Sequence, residues 1–408
     1  MTTIKNKSTR IILISLALII CGVIVYNFFP SIFKVISNEV EYISTINNTE
    51  INNELNEQEL KEEVKEEPVV IPISHIKTPE VVKAIYLSGW VAGTKSIRDK
   101  LVKIIDETEL NAVVIDIKDS TGRISFKIDD PLIKEIGSAE NRIANIRELT
   151  NLLHQKGIYI IGRISVFQDP FLSKLKPEWS IKRLSDGEVW KDKKGLSFLD
   201  PMNQNVRDYT TAIALGSYHL GFDEINFDYI RYPSDGNMKD INYDLKEGET
   251  RADNIEDFFV NLSSKMKEIE NIPISADLFG LTTEVIDDMG IGQVWERAIP
   301  HFDYVCPMVY PSHYPASYNN FANPALYPYE VIIRSLTSAI NRTEAIGQSI
   351  SKIRPWLQDF DLGAVYTKEL VKEQIEATND LGLSSWMLWD PSNKYTPEAL
   401  ELEFEKIN

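Results

Sequence analysis

The sequence predicts a (β/α)8 TIM barrel carried behind one N-terminal transmembrane helix and a charged tether. Three observations predict it. Between Lys83 and the C-terminus, eight short apolar runs are each followed by a loop and then, in most cases, apolar residues at helical spacing. Before them, residues 11–29 form an uncharged run behind Lys5, Lys7 and Arg10, and residues 38–80 are dominated by Asn, Glu and Lys. Strands that alternate with helices pair in parallel through right-handed crossovers. Eight such units in about 325 residues suit a barrel with insertions. An open doubly wound sheet is the alternative, but "SGWVAGT" after the first strand lacks the G-x-G-x-x-G spacing of a phosphate loop.

In chain order, residues 1–10 read as a cytoplasmic N-terminus. Residues 11–29, "IILISLALIICGVIVYNFF", read as the anchor, since a spanning helix needs roughly 20 apolar residues. Basic residues before the run place the N-terminus inside and the barrel outside the cell membrane. A cleaved signal peptide is the competing reading, but no small-residue cleavage pattern follows, and Ile20 precedes Cys21 where a lipoprotein would carry a small residue. Residues 30–80 form an acidic, polar linker, too charged to build a core. Residues 81–408 form the barrel domain. Its strands are expected at 84–90, 111–119, 158–167, 222–230, 272–280, 303–311, 354–360 and 384–390. Helical patterns follow near 97–105, 143–153 (stopped by Gly157), 255–266, 284–299, 329–346, 367–381 and 396–407. Long insertions at 166–222 and 232–250, the first with Trp179 and Trp190, are expected to wall the cleft.

With 61 acidic against 43 basic side chains, the net charge of −18 argues against a nucleic-acid partner. Two cysteines, Cys21 and Cys306, give no disulfide framework. The five histidines show neither H-x-H nor H-E-x-x-H spacing, and no G-x-S-x-G elbow occurs. No metal site or cofactor is expected.

In such a barrel the reacting groups sit at the C-terminal ends of the strands. In "FDEINFDYIRYPSDG" (222–236), Glu224, Asn226 and Asp228 alternate with apolar residues and so share the inward face, with Asp228 at the mouth. The same rim collects Trp90, Asp116, Lys118, Arg163, Arg231, Asp277, Met308, Tyr310, Gln358, Trp386, Trp389 and Asp390. Asp228 and Asp277 are the candidate catalytic pair, because two carboxyls in unlike environments hydrolyse glycosidic bonds. The others are candidate substrate contacts, with aromatic rings to stack on apolar sugar faces. Asp116 reads more as an orienting residue, and Asp119, Asp359 and Asp390 also read as loop or capping residues. Glu224 is expected to pair with Arg163, and Lys118 and Arg231 to neighbour Asp228. Asp116 and Glu284 are the fallback carboxylates.

"GFDEINFDYIRYP" (221–233), "LDPMNQNVRDY" (199–209), "CPMVYP" (306–311) and "WMLWD" (386–390) resemble the putative glycoside hydrolase domain of bacterial cell-surface proteins. The similarity covers roughly 81–407 and implies a barrel glycosidase. "PMVYP" is also similar to the sixth strand of chitinase-like barrels, but their D-x-x-D-x-D-x-E run is absent from strand four. An amylase-like placement, nucleophile ending strand four and acid/base ending strand five, implies Asp228 and Asp277 in those roles. The expected function is cleavage of an extracellular or cell-wall polysaccharide. A non-catalytic carbohydrate-binding barrel is one alternative. A metal-assisted deacetylase or lyase using Asp116, Asp119, Asp228 and Asp277 is another.

Overall fold

The computed structural model describes residues 73–403. The expected cytoplasmic segment, the anchor at 11–29 and most of the linker lie outside these residues. Among those described, no helix is long and apolar enough to cross a membrane.

Eight parallel strands close a barrel in chain order. They are β1 (Lys83–Leu87), β2 (Ala112–Lys118), β3 (Tyr159–Ser165), β4 (Glu224–Asp228), β5 (Ile274–Phe279), β6 (Tyr304–Met308), β7 (Trp356–Gln358) and β8 (Trp386–Trp389). Seven fall within the runs read from the sequence, and β1 begins one residue before its run, at Lys83. Alternation along each strand divides the apolar residues into two cores. Ile85, Val113, Ile115, Ile160 and Ile225 face outward to the helices, whereas Ala84, Tyr86, Val114, Ile161, Cys306 and Met387 fill the barrel.

The main covering helices are α1 (Lys95–Glu107), α2 (Ile146–Gln155), α3 (Gln204–Tyr218), α4 (Arg251–Ile269), α5 (Pro328–Ala345) and α6 (Lys368–Asp380). Asn145 caps the start of α2, and Gly157 just beyond its end takes the left-handed φ of 71° that favours glycine. Thr250 and Asp253 form a reciprocal capping box on α4. Three expectations change here. The 166–222 insertion contains α3, whose apolar face packs Val206, Tyr209, Ile213 and Ala214. The 284–299 pattern forms only the single turn Trp295–Ala298, because Gly290 and Gly292 adopt positive φ before it. Past Thr396, the described chain makes one 3-10 turn, Pro397–Ala399, rather than a helix; residues 404–407 lie outside the described part.

Near the N-terminal end of the barrel, Arg354 donates to both oxygens of Glu224 at 2.9 and 3.1 Å, and the Tyr159 hydroxyl adds a bond of 3.1 Å. The expected Glu224–Arg163 pair is thus replaced. In the register, Arg163 stands opposite Asn226, two residues beyond Glu224, so its guanidinium reaches toward the mouth.

Candidate active site

Arg163 organises the mouth of the barrel. Its Nη1 donates to Asp116 Oδ1 at 2.6 Å, while Nη2 and Nε donate to Asp228 Oδ2 at 2.5 and 3.1 Å. The same Nε lies 3.8 Å from Asp277 Oδ2. Asp116 is held from its other oxygen by the Tyr86 hydroxyl at 2.5 Å. Strand parity explains this meeting, because Tyr86, Asp116, Arg163, Asp228 and Asp277 all occupy inward positions near the C-terminal ends of neighbouring strands.

Asp228 accepts a further bond of 2.5 Å at Oδ1 from the backbone N–H of Tyr229. Tyr229 carries φ of 52°, a conformation uncommon for a bulky side chain. The backbone turn at the end of β4 therefore holds the carboxylate from below. Asp277 accepts at Oδ1 from Asn226 Nδ2 (2.9 Å) and Trp356 Nε1 (2.8 Å). Burial first, and then the charge of Asp228, push Asp277 from an ordinary 3.8 up to about 8. Burial also raises Asp116, against the opposing pull of Arg163.

These groups border a cavity of about 290 Å³ whose lining includes Arg163, Asp228, Arg231, Asp277, Met308, Tyr310 and Trp389. Its aromatic wall joins Trp389 and Trp356, edge to face at 5.4 Å, to Tyr310, Tyr229, Phe279 and Tyr314. Tyr86 stacks behind Trp389 at 4.0 Å.

The remaining candidates from the sequence stand elsewhere. Asn226 and Asp116 lie behind the cavity and reach it through Asp277 and Arg163. Lys118 points away from Asp228 and is buried against Asp169 at 2.6 Å. Gln358 accepts from the Ser312 N–H and donates to the Phe360 carbonyl, tying two loops together. Trp386 is three residues from Trp389, and that odd spacing turns it outward into the helix-side core, with Lys83 over its ring. Trp90 is 61 % exposed beside Arg142, and Asp390 caps a turn through the Ser392 N–H. The fallback Glu284 is held by Tyr318 and by Arg334 at 2.8 Å.

Sequence reasoning missed Tyr86 and Trp356. The signal was present, because Trp356 is two residues before Gln358 and shares its inward face. It also missed Tyr229, Phe279, His313 and Tyr314, which loop geometry brings to the cavity. Neither long insertion walls this cavity. Part of the first instead joins the loop after β4 in a two-stranded pair, Lys182–Arg183 with Ile241–Asn242, beside a separate groove.

The four-aspartate cluster considered for a metal does not assemble. Asp119 pairs with Arg142 at 2.5 Å, and the Arg163 guanidinium stands among the other three. Among the described residues, no group of three or more His, Cys, Asp or Glu is arranged to hold a metal ion.

A family model described as "Putative glycosyl hydrolase domain" matches residues 84–395. No curated protein matches the chain. Among solved structures, the glycoside hydrolase domain of PgaB (BpsB) from Bordetella bronchiseptica is 12% identical, with a TM-score of 0.58, over 79% of this chain and 99% of its own. At that identity the likeness establishes the barrel fold. A hypothetical protein from Ruminiclostridium thermocellum is 34% identical over 47% of this chain and 96% of its own, with a TM-score of 0.43. The spore cortex-lytic enzyme SleL of Bacillus megaterium is 10% identical over 78% of this chain and 72% of its own, with a TM-score of 0.46.

Proposed function

The chain belongs to the family described as putative glycosyl hydrolase domain, and from that premise we propose that it cleaves a polysaccharide with Asp277 as general acid and Asp228 as the partner carboxylate. One observation carries this reading: two buried carboxyls share one rim in opposite surroundings. Asp277, raised to about 8, keeps its proton at neutral pH. Its Oδ1 already accepts two hydrogen bonds, so the proton belongs on Oδ2. Both oxygens of Asp228 act as acceptors, the role of a carboxylate.

In the step this arrangement supports, Asp277 Oδ2 gives its proton to the glycosidic oxygen. The bond to the anomeric carbon breaks, its electron pair leaves on that oxygen, and Asp228 faces the developing positive charge. Arg163 Nε is 3.1 Å from Asp228 Oδ2 and 3.8 Å from Asp277 Oδ2, so the two oxygens are less than about 7 Å apart. That span accommodates attack by Asp228 itself. The aromatic wall supplies flat surfaces for pyranose rings.

A non-catalytic carbohydrate-binding barrel is favoured by one feature, the clamp of Arg163 and the Tyr229 N–H on both oxygens of Asp228. Asp228→Asn in the full-length chain separates the two readings. Hydrolysis of a cell-wall polysaccharide panel should fall by at least about two orders of magnitude while calorimetry still shows glycan binding. A wild-type protein that binds glycans yet releases no reducing ends from any of them supports the binding module. The substrate would lie outside the cell membrane, in keeping with the basic residues before the 11–29 run.

A further inference from the structure

Arg231, three residues beyond Asp228, enters the same cavity and forms no salt bridge among the described residues; the Asp228 charge acts on it only from beyond ion-pair distance. Its Nη1 donates to the Tyr232 carbonyl at 3.0 Å and to the Ser234 hydroxyl at 3.2 Å. The guanidinium carbon lies 5.4 Å from the centre of the Tyr229 ring and 5.6 Å from that of Phe279. These contacts fix the group in place and leave its Nε–Nη2 edge without a hydrogen bond to the protein. Arg163, in the same cavity, has its donors taken by Asp116 and Asp228. Arg354, deeper in the barrel, is paired with Glu224.

Arg231 is half-buried, and a cation partly withdrawn from water without a close counter-charge carries a cost that a bound anion would relieve. Asp228, the carboxylate nearest in sequence, already receives Arg163 and the Tyr229 N–H. The vacant edge is a planar two-donor fork whose geometry matches an oxyanion. The net charge of −18 makes the molecule as a whole repel polyanions, so acceptance of one requires a local cation such as this.

We infer that Arg231 is a specificity-determining residue that receives an oxyanion substituent, carboxylate or phosphate, on a sugar bound in the cavity. The substrate class is then an anionic polysaccharide. This inference rests on the glycosidase reading for the word substrate, but its test reads binding.

The full-length chain is titrated calorimetrically with a uronate oligosaccharide, with the same oligosaccharide after its carboxyls are reduced to alcohols, and with a phosphodiester-linked sugar oligomer. At least one anionic ligand should bind about tenfold or more tighter than the neutral one, with a preference that shrinks as salt is added. Arg231→Gln should erase the preference at unchanged melting temperature, and Arg231→Lys, which keeps the charge but loses the fork, should restore part of it. Preference for the carboxylated ligand identifies a uronate-type substituent, and preference for the other identifies a phosphate. Equal binding of charged and neutral ligands, a preference that survives Arg231→Gln, or no binding of any of the three overturns the inference. Hydrolysis of neutral polysaccharides by the wild type, assayed in parallel, reports on the glycosidase reading alone: if it proceeds while charged and neutral ligands bind equally, that reading stands and this one falls.

Discussion

Asp277 holds a proton where an exposed aspartate would have lost it, and that has two measurable consequences. As pH rises through about 8, the acid is lost and turnover should decline along a basic limb near that value. The Trp356 N–H favours the ionised form, so Trp356→Phe should move the limb to higher pH. Asp277→Asn should lower turnover by at least about a hundredfold and remove the limb. Stability follows the same titration. Between the ordinary 3.8 and about 8, the folded chain keeps a proton that the unfolded chain has released, so this group makes stability fall as pH rises across that window. Asp359, raised by burial to about 7, contributes in the same direction. The melting temperature of Asp277→Asn relative to wild type should therefore climb from acid pH to about 8 and level off above it. A flat difference would place the titration elsewhere.

Single residues matter to the strands through close approach and pairing. Gly280, directly after β5, would place a Cβ 2.3 Å from the Met308 carbonyl oxygen at the end of β6. Gly280→Ala must therefore push the two strand ends apart, at a cost of about 1–3 kcal/mol. Because both ends line the cavity, activity per folded molecule should drop as well, measured beside a urea transition. The Glu224–Arg354 pair joins β4 to the residue two before β7. Arg354→Met leaves the buried Glu224 carboxylate without its cation, only the Tyr159 hydroxyl still donating to it, and should cost about 3–5 kcal/mol, whereas adding Glu224→Gln should recover much of that loss. Activity per folded molecule should be kept in the double variant, because neither side chain lines the cavity.

For the whole molecule, the uncharged run at 11–29 and the acidic linker after it lead to the proposal that the barrel works outside the membrane on a tether. The protein should sediment with membranes and resist extraction by high salt, and protease added to intact cells should release a barrel-sized fragment. A barrel digested only after lysis would reverse the orientation.

The sequence by itself determined the eight strands, the barrel and the inward face that carries Asp228, because these depend on local periodicity: period two for strands, helical spacing between them, and an inward face already written in "EINFD". The same parity, applied strictly, separates Trp386 from Trp389 and selects Trp356. Only the tertiary structure decided which inward residues meet. Glu224 and Arg354 are 130 residues apart, and Arg163 stands opposite Asn226 rather than Glu224. Those partnerships are set by inter-strand register and side-chain reach, which no local pattern records. The structure likewise turned Lys118 toward Asp169 and left Arg231 beside the cavity with a free edge. A charge in the sequence shows that a partner is needed, and only closure of the barrel determines whether one is within reach.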